Sequence, residues 1–219
     1  MRIRIWDAPT RIIHWAFVLL IGFSWWTAEN DALEWHRYSG YTLLGLLVFR
    51  LYWGLAGSST ARFAGFVKGP RTVWAYLKHL PAKEPMPTIG HNPLGGWSVL
   101  LLMAAMIAQV VLGLFAVDID GIESGPLSHL VSFDAGRACA EVHENLFNVL
   151  LALIALHVAA ILFYLLYKRQ NLITPMIRGS SEVELVEAPE IRFGSPLRLA
   201  IGLVAAALLA WYVARGFEL

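Results

Sequence analysis

The sequence predicts an all-α integral membrane protein: a four-helix transmembrane bundle followed by a fifth, peripheral transmembrane helix. Three observations lead there. Of the 219 residues, 58% are hydrophobic and only 15% are charged, far too apolar for a soluble domain of this size. The apolar residues gather in five blocks, at 10–27, 36–55, 97–117, 143–167 and 199–213, and a bilayer-crossing helix needs about 20 largely apolar residues. The basic residues then alternate with the blocks: 14 of the 17 Lys and Arg fall on one side of such a bundle, leaving only Arg37, Arg137 and Arg215 on the other. By the positive-inside rule the first side is cytoplasmic and holds the N-terminus.

The first block follows a basic start like that of a signal peptide. It has no small-residue cleavage site and carries His14 within its apolar run, so it reads as a retained first helix. The second block opens at His36. Between the second and third lies the longest connection, in which Pro70 stands at a plausible first helical turn. Val73, Trp74, Leu77 and Leu80 share one face there, predicting an amphipathic helix on the membrane surface. The stretch PAKEPMPTIGHNPLGG that follows reads as an ordered turn segment. The connection before the fourth block has room for a short helix. The acidic stretch after it, GSSEVELVEAPEIRFGSP, reads as a mobile cytoplasmic linker. The fifth block is short and Ala-rich and bears no histidine. Trp25, Trp26, Trp35, Trp53, Trp97, Trp211 and Tyr212 lie at the block ends, as in an interfacial belt. The chain thus divides into a membrane domain at 1–178, a linker at 179–197 and a fifth helix at 198–219.

Composition also excludes chemistries. A net charge of +1 gives no global basic character for nucleic acid. The single cysteine, Cys139, excludes an intramolecular disulfide framework and a cysteine-based zinc or iron–sulfur site. No CxxCH is present, so no c-type haem is attached through that motif.

The fourth block carries two histidines, His143 and His157, fourteen residues apart. That is close to four helical turns, so both leave nearly the same face, separated by a rise of roughly 21 Å. A lone intramembrane histidine is commonly hydrogen-bonded to a neighbouring helix, but ionisable residues in lipid are rare and usually functional. Alternation of the helices pairs His36 with His143 at the outer level. At the inner level, depths measured from the outer surface pair His14 with His157. Depths measured from inside disagree, so either the fourth helix overhangs into the cytoplasm or Arg11 snorkels. Two histidine pairs at two depths are what two six-coordinate b haems would need. Gly22, Gly40 and Gly45 could let a macrocycle approach, or could serve ordinary helix packing. Two separate pairs supply too few ligands for tetrahedral zinc. A proton pathway would need carboxylates deep in the spans, and there are none. His79 and His129 read as surface residues, and His91 is open.

The HW of His14–Trp15, the run WHRYSGYTLLGLLVFRLYWG, the GHNPLGG of Gly90–Gly96, and VHENLFNVLLALIALH followed by LITPMIRG resemble the bacterial cytochrome b561 family. They are similar in particular to the b-type cytochrome subunits associated with nickel–iron hydrogenases. The likeness covers about residues 3–180. It implies a four-helix bundle holding two haems b, with His14, His36, His143 and His157 as the axial ligands of the haem iron. It also implies electron transfer between quinone or quinol and a redox partner protein, such as a c-type cytochrome or a hydrogenase-type subunit, in the bacterial inner membrane. Two alternatives have the same architecture: a superoxide:quinone oxidoreductase-like enzyme, and a membrane-anchor subunit of a hydrogenase-type respiratory complex. The outer connections are rich in Asp and Glu, which suits a basic protein partner better than an anionic oxidant.

Overall fold

The computed structural model describes residues 2–82, 88–120, 123–182 and 190–218. Among them the long helices are α1 (Ala8–Glu29), α2 (Leu33–Ala56), α5 (Pro93–Phe115), α6 (Phe133–Leu166) and α8 (Pro196–Ala214). Short helices α3 (Phe63–Phe66) and α4 (Pro70–His79) link α2 to α5, and α7 (Ile173–Arg178) follows α6. Strands β1 (Arg2–Arg4) and β2 (Ser180–Glu182) form a two-stranded antiparallel ribbon, Arg2 opposite Glu182 and Arg4 opposite Ser180. The sequence reading contained no strand. The ribbon ties the N-terminus to the start of the acidic stretch, whose residues 183–189 lie outside the described residues, as do 83–87 of the turn segment. The part after that gap is held down: Arg192 O accepts from Ser59 N at 2.8 Å and Gly194 N donates to Ser58 Oγ at 3.0 Å.

Four described helices, α1, α5, α6 and α8, are long and apolar enough to cross a membrane. The second block, expected as one of the first four spans, is not in that set, although α2 has 24 residues. Glu34 is exposed near its start, Arg37 pairs there with Glu123, and Arg50 alone of the three is buried, which the packing of α2 explains. It is the central helix, packed against α1 and α8 on one side and α5 on the other, while α6 packs on α5. Phe49 and Trp53 of α2 meet Ile13 of α1 and Ala206 of α8 in one buried cluster, and Leu47 meets Met103, Met106 and Leu150 of α5 and α6 in another. The face of a helix that is turned into protein need not be uniformly apolar. The outward residues of its neighbours are: Leu19 is 73% exposed and Leu156 66%, as a lipid-facing surface requires.

Helix starts are well specified. Asp7, Asn92, Ser132 and Ser195 cap α1, α5, α6 and α8, each side chain accepting from the backbone N–H three residues on. The cap at Ser132 starts α6 ten residues earlier than the apolar block, so His143 lies three turns inside the helix rather than at its start. At the other end α6 runs nine residues past His157, whereas α1 begins six residues before His14. The depth disagreement is therefore an overhang of α6. Arg11 is not reaching for water; its Nη1 donates to Ile177 O of α7 at 2.5 Å.

The amphipathic helix forms as α4, but Tyr76 is its buried residue and Trp74 points outward, 62% exposed. Tyr76 Oη meets Tyr164 Oη of α6 at 2.7 Å. Trp53 corrects the expected interfacial belt: it is 1% exposed and so no part of one. Its Nε1 donates to Asp7 Oδ2 at 2.9 Å, and Ser58 Oγ donates to the same oxygen. Asp7 Oδ1 accepts from Thr10 N at 2.8 Å. One buried carboxylate thus caps α1 and clamps it to the end of α2.

Asp7→Ala would leave these three donors without an acceptor. At about 1–3 kcal/mol for each buried unsatisfied group, the variant should lose roughly 3 kcal/mol or more, read as a lower Tm of the detergent-purified protein. Asp7→Asn, which keeps one acceptor oxygen, should fall between.

Candidate functional site

The structure brings the four singled-out histidines together in the expected pairs. His14 of α1 faces His157 of α6 with ring centroids 6.4 Å apart and planes at 53°. His36 of α2 faces His143 of α6 at 6.0 Å and 83°. All four are half-buried. The pairs lie at two levels of one helix, one near the basic end of the bundle and one near the acidic end. The most extensive backbone packing joins α1 to α2 and α5 to α6, while α1 and α2 meet α6 through side chains, as Trp25 meets Phe147 and Leu47 joins Leu150 in one cluster. The two imidazole pairs lie between the same helices.

The outer pair is oriented by backbone carbonyls. His36 Nδ1 lies 2.9 Å from Ser24 O, and His143 Nδ1 lies 2.8 Å from Gln109 O. A carbonyl can only accept, so Nδ1 carries the proton in each ring and Nε2 keeps its lone pair. This is the arrangement that metal-ligating histidines adopt. Gln109 Nε2 returns a bond to His143 O at 2.9 Å, locking α5 to α6 at this level. Gly113, one turn further along α5, is needed sterically: a Cβ there would lie 2.9 Å from His143 Cε1. At Gly22 and Gly40 a Cβ would meet nothing within 4 Å, whereas at Gly45 it would meet Ala210 of α8 at 3.4 Å. Gly45 therefore serves helix packing, while the other two face open space.

The inner pair is less satisfied. His14 stands edge-on to Trp15 at 5.1 Å, and its Nδ1 is enclosed without a hydrogen-bond partner. His91, left open by the sequence, lies beside this level, wedged between Trp6 at 4.7 Å and Phe66 at 4.4 Å. The residue as a whole is half-buried, but its Nδ1 is enclosed and unpartnered. Burial pushes its pKa down to about 3, with the Arg50 cation next in effect, so its ring is neutral. His79 and His129 are exposed, as expected.

Ser24, Gln109 and Gly113 were missed by the sequence reading. Nothing in their identity marks them, because Ser24 and Gln109 act through backbone oxygens and Gly113 through the side chain it lacks. Among the described residues no group of three His, Cys, Asp or Glu is assembled, so each site offers two imidazoles and nothing else. Two imidazoles bound to one ion from opposite sides through bonds of about 2 Å have centroids roughly 6 Å apart. The pairs fit that spacing, leaving the remaining coordination positions to a ligand that the protein does not itself supply.

A family model described as prokaryotic cytochrome b561 matches residues 5–179. No curated protein and no solved structure matches the chain. The matched stretch contains α1, α2, α5 and α6 with both histidine pairs, and it stops before α8. The chain therefore belongs to the prokaryotic cytochrome b561 family, multi-pass membrane proteins that bind b-type haem and take part in electron transfer.

Proposed function

We propose that this protein holds two haems b and carries electrons across the bacterial inner membrane, between quinone or quinol and a redox partner protein. His14 and His157 would hold the inner haem, His36 and His143 the outer. The observation that carries this reading is the pair of imidazole separations, 6.4 and 6.0 Å, at two levels of one helix. Haem b, when bound, supplies a one-electron ferric/ferrous couple whose potential follows axial ligation, hydrogen bonding and burial. The chain's own contribution is to orient the ligands. The Ser24 and Gln109 carbonyls fix the outer rings, and Gly113 admits the His143 ring.

The excess of Lys and Arg at the end holding the N-terminus supports a cytoplasmic assignment for that end. At the opposite end Asp134, Glu141 and Glu144 are exposed on α6 around His143. Their charge favours docking of a basic protein, such as a c-type cytochrome or a hydrogenase-type subunit, over capture of an anionic oxidant. The α8 helix packs on α2 through Gly202, against Tyr52 and Phe49, and carries no histidine. It is assigned as a peripheral fifth span beyond the di-haem domain of residues 1–178 and the linker at 179–197.

A pyridine haemochrome assay of the purified protein should give two non-covalent haems per chain, and His157→Ala should retain only the outer one. A single haem in the wild-type protein would refute the assignment. Gly113→Val should displace the His143 ring and deplete the outer haem while the inner one stays, read as a fall towards one haem per chain. The topology can be tested with a cysteine placed after Leu219. A membrane-impermeant reagent should label it from outside in intact spheroplasts; labelling only after lysis would rule out α8 as a span.

A further inference from the structure

The polar atoms left over by the fold are not spread evenly. Seven buried side-chain polar atoms of the described residues have no hydrogen-bond partner, on Thr10, Arg11, His14, Arg50, Arg62, His91 and Gln109. All but Gln109 lie at the basic end of the bundle. Arg50 is the most telling of them. It is 6% exposed, its Nη1 is enclosed without a partner, and its guanidinium lies 5.0 Å over the Phe63 ring. The ion pairs among the described residues are Arg37–Glu123 and Arg192–Glu190, so Arg50 has none. Asp7, the acidic residue whose charge it feels, already accepts from Thr10, Trp53 and Ser58. A ring face offsets part of the cost of desolvating a cation, but an enclosed guanidinium calls for an anion.

The position of Arg50 says which anion. On α2 it follows His36 by fourteen residues, the interval that separates His143 from His157 on α6. Both helices run from the acidic end to the basic end. Arg50 therefore leaves nearly the same face of α2 as His36, within about 40° and four turns deeper. The α2 helix presents an imidazole at the outer level and a guanidinium at the level where α6 presents His157. Of the arginines with unpartnered atoms at this end, Arg50 is the one that is buried.

We infer that Arg50 is a cofactor-anchoring residue, pairing through its guanidinium with a propionate carboxylate of the haem held by His14 and His157. This rests on the two-haem reading above. A fixed cation beside the inner haem disfavours its ferric form, which carries one more positive charge than the ferrous form. Arg50 thus raises the inner reduction potential relative to the outer one. A free carboxylate or phosphate ion could satisfy the same guanidinium, so the test must separate the two sources.

The experiment is an optical redox titration of the purified, haem-loaded protein, with haem content measured alongside, for the wild type, Arg50→Gln and Arg50→Lys. In Arg50→Gln the inner haem should shift about tenfold towards the ferric form at fixed ambient potential, which is 59 mV for one electron, and the outer haem should not move. Arg50→Lys should recover most of the shift, and it keeps the test open if the Gln variant fails to fold. In a His157→Ala background, Arg50→Gln should leave the remaining haem unchanged. Two bound haems with unshifted potentials in both variants would overturn the role of Arg50 alone. One haem per wild-type chain would overturn the two-haem reading and this inference with it. If exchanging chloride for phosphate in the wild type moves the inner potential as far as Arg50→Gln does, the partner is a free ion and the propionate assignment fails.

Discussion

Two imidazoles on one continuous helix fix the two levels at which the histidine pairs form. The α6 helix runs unbroken from Phe133 to Leu166, and fourteen residues separate His143 from His157. Helical rise then sets their depths roughly 21 Å apart and their directions nearly alike. Neither quantity can be adjusted without breaking backbone hydrogen bonds in lipid, where nothing else would satisfy them. The rest of the bundle has to meet α6 at those two levels. The α1 helix delivers one histidine to the deeper level, and α2 delivers one to the shallower.

That delivery depends on register. The Asp7 carboxylate caps α1 and receives the Trp53 indole N–H and the Ser58 hydroxyl from the far end of α2. Sliding α1 along α2 by a single turn would move His14 by about 5.4 Å and strip the Trp53 and Ser58 bonds from a buried anion. The Arg11 bond to Ile177 holds α1 to the segment that returns after α6. At the other end, Gln109 and His143 exchange two bonds that fix α5 against α6. Each level is thereby pinned by a different helix pair.

The two levels differ in character. At the acidic end both rings have their Nδ1 paired with a carbonyl, and Gly113 makes room for the His143 ring. At the basic end His14, His91 and Arg50 retain unpartnered polar atoms within a few aromatic rings. Buried polar groups are normally satisfied, so this concentration marks the end at which the folded chain alone is incomplete. The contrast gives the two histidine pairs unequal electrostatic surroundings.

The sequence by itself determined the class, the apolar blocks, the surface helix at Pro70 and the pairing of His14 with His157 and His36 with His143. Each of these follows from a local period or from depth along a helix, and both can be counted along the chain. The tertiary structure decided what depends on a neighbour's identity. Trp53 looks like a belt residue until Asp7 is seen to hold its indole, and Gly113 looks like any membrane glycine until His143 lies against it. The start of α6 was displaced because a Ser132 cap, not hydrophobicity, begins the helix. The β1–β2 ribbon joins Arg2–Arg4 to Ser180–Glu182 across most of the chain, and three-residue strands leave no periodic trace to read. In the sequence Arg50 is only one of the 14 basic residues on the cytoplasmic side. Only the packing of α2 at the centre of the bundle turns it into an enclosed cation, because burial belongs to the assembly of helices and not to any one of them.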